Sequence, residues 1–139
     1  GLGDVYKRQT LRIVDYKTGG SPKTPANIEQ LFTPSESRPN YIFQTFLYAA
    51  IMSRQQSLKV APSLLYIHRA ASESYSPVIE MGEPRQPKIP VSNFAFFEDE
   101  FREHLQRLLE EIFDKNEPFT QTEDTKKCAY CDFKAICKR

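Results

Sequence analysis

Leu11-Arg12-Ile13-Val14-Asp15-Tyr16-Lys17-Thr18-Gly19-Gly20 is the stretch on which the reading of this chain turns. The β-branched pair Ile13-Val14 reads as the end of a buried strand, Thr10 to Tyr16, that stops at Thr18-Gly19-Gly20. Side chains two apart on a strand share a face, so the Asp15 carboxylate and the Lys17 ammonium project together. Two chemistries fit that pair. One is an ordinary ion pair at a strand end. The other is a metal-binding carboxylate beside a lysine that handles a water molecule. Asp-x-Lys is common by chance, so the tripeptide leaves both open and the rest of the chain decides.

The chain has 139 residues, enough for one domain with a modest core. Hydrophobic residues make up 40% and charged residues 27%, which separates it from disordered compositions. Nineteen basic and 18 acidic residues leave a net charge of +1, a balance that neither demands nor excludes a nucleic-acid partner. No apolar run approaches the roughly 20 residues that span a bilayer, so no membrane partner is expected. The first residues lack the apolar core of a signal peptide, which favours the cytoplasm.

Gly1 to Gln9 do not extend the strand pattern, and residues 1–9 read as a leader foreign to the domain that fills 10–139. The chain has no initiator Met and enters a strand almost at once, so it reads as an N-terminally truncated fragment. Ser21 to Asn40 contain Pro22, Pro25, Pro34 and Pro39 and predict a long loop, with a short turn around Ile28 to Phe32. A loop of this length beside a candidate site is more often functional than filler. Pro39 to Gln55 predict a helix that is apolar nearly all round and therefore buried on most sides. Gln44 and Tyr48 lie four apart on it and share a face. A glutamine in such a helix needs partners for its amide. Those partners are either nearby backbone or, with Tyr48, the pocket that holds Asp15 and Lys17. Ser63 to Arg69 and Tyr75 to Met81 predict two more strands, and His68 is a strand-end surface residue with no role. Glu98 to Lys115 predict an amphipathic helix whose Phe101, Leu105, Leu108, Leu109 and Ile112 form a core stripe. Its acidic start suits the helix dipole.

All three cysteines fall in the last twelve residues: Cys128, Cys131 and Cys137. An odd, clustered set without a secretion signal points to metal rather than disulfides. Thiolates select zinc or an iron–sulfur cluster, and structural sites of both kinds usually take four ligands. Three free thiols, a zinc site completed by His68 or an acid, and a cluster whose fourth cysteine lies elsewhere all remain open.

Taken together, the chain resembles the PD-(D/E)XK nuclease superfamily, and within it the nuclease domain of AddB- and RecB-type helicase–nucleases. Ile13 to Gly19 match the branch's IVDYKTG motif, and Gln44-Thr45-Phe46-Leu47-Tyr48 match its QxxxY motif. Cys128-Ala129-Tyr130-Cys131 with Cys137 match the C-terminal cysteines that hold an iron–sulfur cluster in AddB-like members. The resemblance covers residues 10 to 139, and three motifs in the right order are more specific than any one.

The resemblance implies an α/β fold of the restriction-endonuclease type, a mixed sheet flanked by helices with the site on a bent hairpin and a cysteine-rich C-terminal segment, 128–137. It implies Mg²⁺ or Mn²⁺ on Asp15, on the main-chain carbonyl of Tyr16 and on an acid of the preceding strand. Lys17 would position or help deprotonate the attacking water and stabilise charge on the phosphate. Gln44 and Tyr48 would orient Lys17 or contact the DNA backbone. It implies a [4Fe-4S] cluster on Cys128, Cys131 and Cys137, with the fourth cysteine missing from this stretch. DNA is the implied substrate and a helicase subunit or domain the implied partner, in double-strand break repair and recombination. Asp4 stands near the place of the first acid, but Gly3-Asp4-Val5-Tyr6 is a poor copy of that motif. The 139-residue chain alone is therefore expected to be weakly active or inactive. A second function from another class stays in view: a non-catalytic module that binds DNA ends, stabilised by a cysteine-bound metal cluster.

Overall fold

The computed structural model describes residues 9–123 and 125–138. The leader expected over residues 1–9 lies, apart from Gln9, outside the described residues, as do Asp4 and the strand expected ahead of Asp15. The described residues fall into two compact units that divide between Leu108 and Leu109.

In the first unit, β1 (Thr10–Lys17) pairs with β2 (Lys59–Tyr66) in parallel, with Asp15 opposite Leu64 and Lys17 opposite Tyr66. Parallel neighbours cannot be joined by a tight turn, so the chain crosses over through residues 18–58. The crossover carries a short helix, α1 (Glu29–Phe32), and a long one, α2 (Asn40–Ser53), which packs on both strands. A small antiparallel hairpin follows, β3 (Glu80–Met81) with β4 (Ile89–Pro90). The helix α3 (Glu98–Phe113) comes next, and the division between the units falls within it. The second unit also holds the short α4 (Thr125–Cys128). Helices, a parallel pair and an antiparallel pair make this the expected α/β class. Among the described residues no helix is long and apolar enough to cross a membrane.

The strand β2 is buried along almost its whole length, as a strand covered on both faces must be. It starts four residues earlier than its pattern predicts and runs through Pro62. The amides of Leu64 and Tyr66 donate to the Pro77 carbonyl and the Tyr75 hydroxyl, on the side away from β1. Strand periodicity puts the missing N–H of Pro62 on that same side, so the ladder to β1 loses nothing. The expected strand end Ile67–Arg69 is instead a 3-10 turn. The strand expected over Tyr75 to Met81 is also broken up. Val78 bridges β2 at Ser63, whereas the Ile79 carbonyl accepts from Val91 and only Glu80–Met81 form a strand. The segment changes partner midway, so one continuous ladder cannot form. The strand β1 is half-buried rather than buried among the described residues.

In α2, Ile42, Thr45, Phe46, Ala49 and Ala50 are buried, the spacing of a single helix face. Tyr41, Tyr48 and Ile51 are exposed, so the helix is covered on one side rather than on most. Its buried face meets an aromatic cluster in which Phe101 touches Phe32, Phe43, Phe46 and Phe94 at centroid separations of 5.3 to 5.9 Å. Only the first part of the α3 stripe serves as core: Phe101 is buried and Leu105 packs beside it, whereas Leu109, Ile112 and Phe113 are exposed. Glu98, at the start of α3, accepts from Ser53 and from Arg102, and Arg102 also reaches the Ala50 carbonyl. These bonds tie the end of α2 to α3.

Phe101→Ala should lower stability by about 3–5 kcal/mol in urea unfolding, the range for removing a buried aromatic. Phe113→Ala should stay within about 0.5 kcal/mol. Equal losses would place the core elsewhere.

Candidate active site

The pairing of β1 and β2 brings Lys17 and Tyr66 to the same end of the sheet, and α2 lies across that end. Asp15 and Lys17 occupy the face of β1 that meets α2, and their side chains are 15% and 14% exposed. The Lys17 ammonium stands 2.8 Å from Asp15 Oδ2. It also donates to Gln44 Oε1 at 2.8 Å. Gln44 Nε2 in turn donates to the Tyr48 hydroxyl at 2.6 Å. The glutamine amide therefore finds its partners in the lysine and the tyrosine. Carboxylate, ammonium, amide and phenol form one chain of polar contacts from β1 to α2.

Two further residues belong to the site and escape the motif reading. The Lys17 ammonium lies over the Tyr41 ring, 4.4 Å from its centroid, which is within cation–π range. Thr45 is fully buried, donates to the Tyr41 carbonyl at 2.8 Å, and its hydroxyl lies 3.4 Å from Asp15 Oδ2. Their signal was in the sequence: 41, 44, 45 and 48 are spaced by three, four and seven, one face of a helix. The Gly19-Gly20 stop has a steric reason too. Gly20 has φ +81°, and a Cβ there would stand 2.9 Å from the Tyr41 ring. Only glycine lets the strand exit pass so close to the aromatic that supports Lys17.

The donor set of Asp15 and the Tyr16 carbonyl is all oxygen, which suits a hard cation. Mg²⁺ commonly takes one or two carboxylates and completes its shell with water and substrate phosphate, so these residues fit it. The cysteines are arranged differently. Cys128, Cys131 and Cys137 are free and half-buried. Among the described residues no three His, Cys, Asp or Glu side chains are gathered so as to hold a metal ion. His68 is exposed and stands edge-on to Tyr66.

Tyr66 is buried at the strand end. Burial, with Tyr75, Tyr41 and Asp15 nearby, pushes its phenol above the usual value, and Arg69 opposes the shift. As pH rises the unfolded chain therefore releases this proton first. The stability contributed by the neutral phenol is whole below about pH 10 and is lost as pH climbs from there through the raised folded value. Urea midpoints taken toward alkaline pH should fall less steeply for Tyr66→Phe than for the native chain. Parallel curves would contradict the burial of the phenol.

A family model described as the PD-(D/E)XK nuclease superfamily matches residues 4–138. No curated protein and no solved structure matches the chain significantly.

Proposed function

Because the chain belongs to the PD-(D/E)XK nuclease superfamily, we propose that it is a metal-dependent deoxyribonuclease domain whose working residues are Asp15, Lys17, Gln44 and Tyr48. The observation that carries this reading is the Lys17 ammonium held 2.8 Å from both Asp15 and Gln44. That second partner comes from α2 and is itself held by Tyr48, so the ammonium is positioned by a relay as well as by its counter-ion.

Each side chain has a task in this reading. Asp15 and the Tyr16 carbonyl would hold Mg²⁺ or Mn²⁺. The bound ion supplies Lewis acidity toward a phosphoryl oxygen and lowers the pKa of bound water. Lys17 has three N–H groups, of which Asp15 and Gln44 engage two. The third is left for the attacking water or for a phosphoryl oxygen as its charge grows. Gln44 fixes the ammonium from the helix side, and Tyr48 fixes the amide, so the cation is positioned before substrate arrives. Tyr41 supports the ammonium from its π face. Asp15 is the carboxylate that the described residues bring to Lys17. A second acid would come from residues outside those described.

The order of the three sequence motifs supports a place in an AddB- or RecB-type helicase–nuclease acting on DNA breaks, with a helicase subunit or domain as partner. The C-terminal thiols extend this reading. Their C-x2-C-x5-C spacing lies in a segment where Tyr130, Phe133 and Ile136 are exposed. A segment with so little apolar burial gains order when a metal draws its thiolates together. We propose that these three cysteines hold an iron–sulfur cluster whose fourth ligand is not a cysteine among the described residues.

Linear DNA incubated with protein purified without air should be cut with Mg²⁺ and left intact with chelator. Asp15→Ala and Lys17→Ala should each reduce the rate by about 10²-fold or more. Gln44→Ala should cost about 10- to 100-fold, as the loss of an orienting partner does. Full activity in Asp15→Ala would defeat the assignment, and binding without cleavage would favour the DNA-end-binding module. For the thiols, iron and acid-labile sulfide should be found together in the anaerobic protein and fall in Cys128→Ser. Zinc without sulfide would overturn the cluster.

A further inference from the structure

A cleft of about 610 Å³ opens at the carboxyl end of β2. Its walls include Lys23 from the loop after β1, Tyr66 from the strand end, His68 and Arg69 from the 3-10 turn, and Tyr75. A second hollow of about 280 Å³ shares Lys23, Ile42 and Tyr66 with it and extends to Gly20, Arg38 and Tyr41. Tyr41 is the ring beneath the Lys17 ammonium. The two hollows share walls and make one path that passes the Tyr41 ring; Lys17 itself lines neither.

The path concentrates positive charge in a chain that is nearly neutral overall. Lys23, Arg38 and Arg69 line it, with Glu80 as the carboxylate among the lining residues. Two of these cations are fixed in place. Lys23 donates to the Ser37 and Arg38 carbonyls, and Arg38 donates to the Leu31 carbonyl while lying over the Phe43 ring. Arg69 differs: it is exposed, and no hydrogen bond or ion pair holds its guanidinium among the described residues. A guanidinium without a carboxylate partner at the rim of a cationic cleft is suited to a phosphate, which it can take with two parallel N–H groups. Tyr41, Tyr75 and His68 add π-faces along the same path.

We propose that this path seats a single nucleic-acid strand as it leaves the phosphate at Lys17, with Arg69 binding one of its flanking phosphates. The proposal rests on the nuclease reading above and extends it to residues outside the motifs. Cationic walls interleaved with rings are the arrangement that tracks a single strand. The size agrees, because clefts of about 300–1,000 Å³ enclose ligands the size of a nucleotide or two.

The test is binding of a fluorescent single-stranded oligonucleotide to the 139-residue chain in chelator, followed by anisotropy over a range of salt. Arg69→Gln should weaken binding and reduce the slope of log K against log salt by about 0.7, the value of one phosphate contact on a single strand. Arg69→Lys should keep the slope. Arg107→Gln, an exposed cation on α3 away from the cleft, should change neither, and thermal melts should match throughout. Native slope and affinity in Arg69→Gln would overturn the proposal, as would an equal loss in Arg107→Gln. Arg69-dependent binding of a duplex but not of the single strand would overturn it too. If cleavage remains Asp15-dependent while Arg69→Gln binds normally, the cleft assignment fails and the nuclease reading stands. If no variant binds and Mg²⁺ supports no cleavage, the nuclease reading fails and takes the cleft with it.

Discussion

The parallel pairing of β1 with β2 is the constraint from which the site follows. Parallel strands end on the same side, so Lys17 and Tyr66 finish next to each other. Their connection has to pass back over the sheet, and the element that does so is α2. Once α2 packs its Ile42, Phe46, Ala49 and Ala50 face on the core, its adjoining face at Tyr41, Gln44 and Tyr48 is aimed at the strand end. One helix thus sets both the packing and the chemistry, with the boundary between the two running through Thr45. That residue is buried in the core, and its hydroxyl lies close to Asp15.

Asp15 and Lys17 are both largely shielded from water, and shielding two charges costs desolvation that their attraction offsets only with good geometry and further partners. The site provides those partners in an ordered way. Gln44 takes a second Lys17 N–H, Tyr48 takes the glutamine amide, and the Tyr41 ring faces the ammonium. A network of this kind contributes less to net stability than apolar residues of the same volume could. What it adds is position. A polar chain satisfied at each link holds the ammonium in one place, which a reaction on a charged phosphate needs more than the fold does.

The legible parts of the sequence were those whose spacing matches a local period. Asp15 and Lys17 share a face because strands alternate, and Gln44 and Tyr48 share one because helices repeat every three to four residues. The α/β class was implied by the family resemblance that these motifs carry. What resisted reading depended on partners distant in sequence. The strand β2 runs through Pro62 because the missing donor points away from β1, and no local pattern tells which side of a strand its neighbour will occupy. Residues 75–81 looked like one strand but divide between two partners. The α3 stripe is continuous in sequence, yet its burial stops after Leu105, since periodicity reports a face without saying how far a core extends along it. Tyr41 and Thr45 stood on the same helix face as the motif residues and were missed because an aromatic and a threonine there read as packing. The cysteines mark the opposite limit: their spacing suggests a ligand set that the described residues do not assemble.

Net charge shows how far a global quantity can mislead about a local one. Nineteen basic residues against 18 acidic ones say nothing of an anionic partner. Yet acidic and basic side chains are sorted in space. Along α3, Glu98 and Glu103 meet Arg102 and Arg107 within one helix, and these charges neutralise each other on its surface. At the carboxyl end of the parallel strands the sorting is reversed: Lys23, Arg38 and Arg69 gather around a cleft in which Glu80 is the acid. Low-dielectric walls around such a hollow focus its potential, so a few cations there act on an approaching phosphate more strongly than the same charges spread over the surface. The crossover that aims Gln44 at Lys17 also brings the Lys23 and Arg38 loops to this end, where they face the turn that carries Arg69. A reactive lysine and an anion-attracting path are therefore consequences of one topology.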